Sequence, residues 1–143
     1  MLSPDELLSE LASNVTPSVI FECVSVIGAR IAEFGRNDFI AQELTIRMVA
    51  ALSEGRVPES VAAVVYQAVE LAGLFPYISD TSPMHSIGQL VHDSHRVQPI
   101  RPFVFHSEQM AIFLALLDGD NVILSAPTSF GKSAIVDYFI MER

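Results

Sequence analysis

Ala126-Pro-Thr-Ser-Phe-Gly-Lys-Ser133 stands between two runs of different character. Before it comes the apolar stretch Asn121-Val-Ile-Leu-Ser-Ala126, in which Val122, Ile123 and Leu124 are consecutive rather than alternating, as in a parallel strand covered on both faces. After it, Ser133 to Met141 has the periodicity of a helix. Backbone amides can hold a phosphate group only where the chain curls tightly and no side chain blocks the approach, which a glycine beside a helix N-terminus permits. Gly131 supplies that approach, Lys132 can neutralise β- and γ-phosphates, and the Ser133 hydroxyl can ligate Mg²⁺. The amides of residues 129–133 are placed to surround a β-phosphate, so the stretch predicts a P-loop on a strand–loop–helix unit. Lys132 is also the only lysine of the chain.

Upstream of this unit, Ser107 to Leu117 predicts an amphipathic helix and Asp118-Gly-Asp120 a turn. Before the helix, Arg96-Val-Gln-Pro-Ile-Arg-Pro102 contains two prolines that keep it from becoming helical. These features divide the chain into residues 1–96, an extended joint at 97–105, and residues 106–143.

The first of these segments reads as helices throughout. Ser3-Pro-Asp-Glu6 has an N-cap, a proline at the first helical position and a glutamate able to close a capping box, starting a helix to about Ser13. Thr16-Pro17 repeats the device, and Val19, Ile20, Cys23, Val26, Ile27, Ile31 and Phe34 then recur at helical steps until Gly35. Asn37 or Asp38 caps a third helix with Ile40, Leu44, Met48, Ala51 and Leu52 on one face. Pro58 opens a fourth, apolar on more than one side and therefore expected at the centre of the bundle. A fifth is expected from Ser82-Pro83 to near His95.

The chain has 143 residues, half of them apolar, enough for a sizeable core. Its formal charge of −9 is uneven: residues 1–98 hold twelve acids and five arginines, residues 99–143 five acids against two arginines and one lysine. An acidic surface repels a phosphate backbone, so the helical segment is read as a docking domain for a protein partner rather than for nucleic acid. No uncharged apolar stretch reaches membrane-spanning length, and acids occupy the N-terminus where a secretory signal needs basic residues. A cytoplasmic chain without membrane contact is expected. The single cysteine, Cys23, excludes a disulfide within the chain and lies where a buried, inert thiol belongs.

Phe103-Val-Phe-His-Ser-Glu-Gln-Met-Ala-Ile112 followed by Leu117-Asp-Gly-Asp-Asn-Val-Ile-Leu-Ser-Ala-Pro-Thr-Ser-Phe-Gly-Lys-Ser133 resembles the start of a superfamily 2 DExD/H helicase motor, most closely the Ski-type branch. The resemblance implies a mainly α chain: an N-terminal helical bundle, then the first helix–strand–P-loop–helix unit of a RecA-like α/β lobe, left incomplete. It implies ATP and Mg²⁺ as ligands, held by Thr128, Ser129, Phe130, Gly131, Lys132 and Ser133, with Phe103 stacking on adenine and Gln109 hydrogen-bonding its edge. Phe105 competes with Phe103 for the stacking role. The wording of the loop is also similar to helicases of bacterial antiphage defence, particularly the large subunit of Hachiman-type systems, which pairs with a nuclease. On that likeness a nuclease subunit is the expected protein partner, and DNA or RNA would be engaged by motor regions outside this sequence.

The loop departs from the commonest pattern in starting with alanine rather than glycine. No Asp-Glu acid pair follows Ser133. Phosphoryl transfer needs metal, water and arginine positioned together, so this chain by itself is expected not to hydrolyse ATP and to be part of a longer protein. An interaction module with an inactive P-loop is the alternative expectation. His92 and His95, three apart on a helix, are expected to be surface histidines near a helix C-terminus, since two ligands do not make a metal site. His85 and His106 have no ligand partner nearby in sequence.

Overall fold

Helix caps decide where the chain turns. The computed structural model describes residues 2–78, 86–97, 103–127 and 130–142. Helix α1, Pro4–Ser13, starts on the capping box at Ser3 and Glu6, and α2, Pro17–Phe34, starts on the Thr16 hydroxyl, which accepts from the Val19 amide at 3.3 Å. Gly35, with φ of 83°, ends α2 in a conformation that favours glycine. Asp38 accepts from the Ala41 amide at 2.9 Å to open α3, Phe39–Ser53, and α4, Glu59–Ala72, follows Pro58. A 3-10 turn, Phe75–Tyr77, leads towards α5, Ser86–Ser94; the start expected for α5 at Ser82-Pro83, and His85, lie outside the described residues.

Helices α1 to α4 enclose one apolar core in which Leu7, Ile20, Cys23, Ile27, Leu44, Met48, Val65 and Val69 are fully buried. The fold is mainly helical, as expected, but the centre of the bundle is not α4. Helices α2 and α3 each pack against the other three, whereas α4 packs chiefly on those two. Ala63, Gln67 and Leu71 leave one side of α4 exposed, and its apolar look reflects small side chains as much as a second buried face. Burial pushes the Cys23 thiol up to about 12.

Arg96–Val97 (β1) pairs antiparallel with Phe103–Val104 (β2), Arg96 opposite Val104 and Val97 opposite Phe103. Helices α6, Ser107–Leu117, and α7, Lys132–Glu142, follow. They share a second, smaller core of Val97, Phe105, Met110, Phe113 and Ile135. The strand expected at 121–126 is not formed: residues 121–127 have no regular secondary structure. A strand exists only by hydrogen bonds to a neighbour, and the described sheet consists of β1 and β2 alone. Ile123 is left 99% exposed.

The two cores meet where α4 ends. Gly73 has φ of 70°, and a Cβ there would lie 2.6 Å from the Ser107 hydroxyl, so the missing side chain lets the start of α6 sit against the end of α4. Nearby, Asn37 donates to the Glu108 carboxylate at 3.2 Å.

His92, in α5, and His95, just after it, were expected at the surface, and His92 is not. It is 4% exposed and packs edge-on against Phe75, while the His95 ring lies 5.1 Å from the same phenylalanine. The 3-10 turn supplies a ring that the spacing of the histidines does not reveal. Among the described residues no three His, Cys, Asp or Glu side chains gather as metal ligands.

Arg30 binds Asp38 through two bonds of 2.7 and 2.6 Å, tying α2 to the start of α3. Those bonds, the first of the causes, hold the Asp38 carboxyl down at about 2. A depressed carboxyl contributes stability above its unfolded value, near ~4, and loses it as pH falls through its folded value. Asp38→Asn should therefore lower the melting temperature at pH 7, and the difference from the unsubstituted protein should shrink between pH ~4 and about 2. Thermal melts across that range check it.

Candidate phosphate-binding site

Gln109 stands at the third position of α6, its side chain turned inward and only 4% exposed. Its Oε1 accepts from the His106 amide at 2.9 Å, satisfying a donor that the helix start leaves free. Its Nε2 donates to the Phe130 carbonyl at 2.6 Å, reaching across twenty-one residues to the loop. Gly131 follows with φ of 79°, and a Cβ there would come within 2.8 Å of that same Nε2. Two independent constraints thus require glycine at 131: a left-handed backbone and the glutamine against it.

Lys132 begins α7 and turns back over the loop, its ammonium donating to the Pro127 carbonyl at 2.8 Å and also to that of Ala126. The Phe130 amide donates to the Pro127 carbonyl at 3.1 Å. Phe130 and Gly131 lead directly into the eleven-residue α7. Early amides of a helix lack intrahelical acceptors, so they and the ammonium form a donor set suited to phosphate oxygens. Ser133 lies exposed in the first turn of α7. Thr128 and Ser129 are outside the described residues.

The residues expected to touch nucleotide are thus brought together only in part. Gln109, Phe130, Gly131 and Lys132 form one cluster. Phe103 lies apart on β2, its ring 5.8 Å from Tyr138 of α7 and 5.4 Å from Phe105. Phe105 is fully buried between Phe113 and Tyr138, which makes it a core ring, while Phe103 is 39% exposed.

A cavity of about 560 Å³ opens beside the loop, and no sequence motif marks it. Its lining includes Ala126, Pro127 and Phe130 of the loop together with Arg36 and Tyr77 of the bundle and His106 at the start of α6. The Tyr77 and His106 rings lie 5.7 Å apart. Burial pushes the His106 pKa below its ordinary value, so this imidazole is neutral near pH 7. These residues are distant in sequence, and none belongs to a recognisable motif.

Over 70 residues the chain is 47% identical to a protein named Anti-bacteriophage protein B from Escherichia coli (strain K12). The matched stretch is 48% of this chain and spans about a tenth, 10%, of that protein's length. No family model matches the chain, and no solved structure matches it.

Gln109→Ala removes one donor and one acceptor and leaves the His106 amide and Phe130 carbonyl without them, a change expected to cost about 1–3 kcal/mol. Amides from Phe130 to Ile135 should exchange with deuterium faster, while α1 to α3 stay protected. Hydrogen-exchange mass spectrometry reads both regions at once.

Proposed function

We propose that this chain is the nucleotide-binding entry of an ATP-dependent nucleic-acid helicase that acts in defence against bacteriophage. The observation that carries the phosphate-binding part is the joint placement of Gly131 and Lys132: a glycine with positive φ, then the only lysine of the chain at the first position of a helix. The defence role is supported by the 47% identity to Anti-bacteriophage protein B, and the helicase reading by the resemblance of residues 103–133 to the opening of such motors.

In this reading the triphosphate of ATP lies against the loop. Lys132 exchanges its bonds to the Ala126 and Pro127 carbonyls for phosphate oxygens, gaining a charge-assisted pair for neutral ones. Ser133 offers its hydroxyl to Mg²⁺. Gln109, with one amide hydrogen and its oxygen engaged inside the protein, supports the loop that holds the phosphates. The chain's own share is to bind and orient; bound ATP supplies the phosphoryl-transfer energy that the whole protein would spend on DNA or RNA.

A second reading concerns the bundle. Phe34 and Phe39 flank the α2–α3 turn and are 55% and 75% exposed. Large exposed rings on an acidic domain suit a protein partner, for which a nuclease subunit is the proposed identity. Phe39→Ser in the whole protein should release such a partner in co-purification and leave ATP binding intact.

Lys132→Ala should abolish saturable binding of Mg·ATP, followed by a fluorescent analogue, and in the whole protein should restore phage plating. Undiminished binding would overturn the phosphate assignment.

A further inference from the structure

We propose that the helical bundle forms one wall of the nucleoside site, with Tyr77 and Arg36 facing the base and ribose of the nucleotide whose phosphates the loop holds. This rests on the phosphate-binding reading above and extends it to a part of the chain that carries no nucleotide motif.

The cavity shares Ala126, Pro127 and Phe130 with the loop, so a molecule anchored there by its phosphates has its remaining part beside or inside this space. A volume of about 560 Å³ falls within the range of small-molecule sites, roughly 300–1,000 Å³.

Both signs of charge line the cavity: the Glu108 carboxylate, held by the Asn37 amide at 3.2 Å, and the Arg36 guanidinium, so the cavity lacks the positive excess that a triphosphate calls for. A base and ribose suit such a mixed lining, since the carboxylate can accept from ribose hydroxyls and the guanidinium can donate to a base.

The chemistry of the walls fits that part. Tyr77 and neutral His106 provide two rings 5.7 Å apart, and Tyr77 keeps 47% of its surface exposed, open to stacking. Arg30, Arg47 and Arg56 each bind a carboxylate, but Arg36 has no ion pair among the described residues. In a chain of net charge −9, that leaves a planar guanidinium free to donate to a base edge or stack on it. Phe103, to which the helicase resemblance gives stacking, is not among the described residues lining the cavity.

One consequence is coupling. Because the lining comes from both the bundle and the loop unit, an occupant that touches both holds them together, and occupancy stabilises their junction at Gly73 and Ser107.

The test titrates the full chain with Mg·ATP and with inorganic tripolyphosphate, which has no base. Tyr77→Ala and Arg36→Ala should each weaken Mg·ATP by about three- to tenfold, the effect of losing one ring or guanidinium contact. Both should leave tripolyphosphate unchanged, and Tyr77→Phe should retain affinity for Mg·ATP. Saturating Mg·ATP should also slow deuterium exchange at residues 73–77 in the unsubstituted chain, a readout independent of any variant. Lys132→Ala separates the two readings. If it alone loses both ligands, while Tyr77→Ala and Arg36→Ala bind Mg·ATP normally and residues 73–77 gain no protection, the bundle wall is overturned and the phosphate loop stands. If Lys132→Ala loses neither ligand, the phosphate reading falls and this inference with it.

Discussion

A single side-chain amide, that of Gln109, ties together the beginning of α6, the turn of the loop and the choice of glycine at 131. Its two bonds are directional and shielded from water, so they are stronger than the same bonds on a surface and costly to leave half made. Lys132 makes the other side-chain bonds to loop carbonyls among the described residues, and in the proposed reading those are the ones a phosphate would replace. The glutamine therefore holds the Phe130 carbonyl in place while the lysine is free to change partners. That division of labour is available because the glutamine is neutral and buried, whereas the lysine is charged and only partly covered.

Much of the bundle was legible from residues that act locally. Ser3, Thr16 and Asp38 cap the helices that follow them, and Gly35 ends one, because each of these effects depends on atoms within three or four residues. The helix bounds at Ser107 and Leu117 were legible for the same reason. What could not be read depends on distant chain. Residues 121–126 have the composition of a buried strand, but a ladder needs a partner that periodicity does not supply. His92 was placed at the surface because its burial is decided by Phe75, seventeen positions earlier.

The site divides along the same line. The glycine, lysine and serine of the loop raise the expectation of phosphate binding through spacing alone, since the roles proposed for them arise within one turn. Gln109 could be picked out only by resemblance, and the structure finds it engaged with the protein rather than turned outward. Arg36 and Tyr77 gave no signal at all. A cavity built from the α2–α3 turn, the end of α4 and the loop exists only after the two cores have met, and no window along the sequence contains it.

Cys23 gives the bundle an unintended property. The chain has one thiol, it is completely enclosed by the first core, and its pKa of about 12 leaves almost no thiolate at neutral pH. Thiol-reactive reagents attack the thiolate and need access, so the folded bundle offers them neither. Modification can proceed only through molecules in which α2 has parted from its neighbours, and the rate of labelling becomes a clock for that opening. The protein thus carries its own reporter of how often the helical domain breathes.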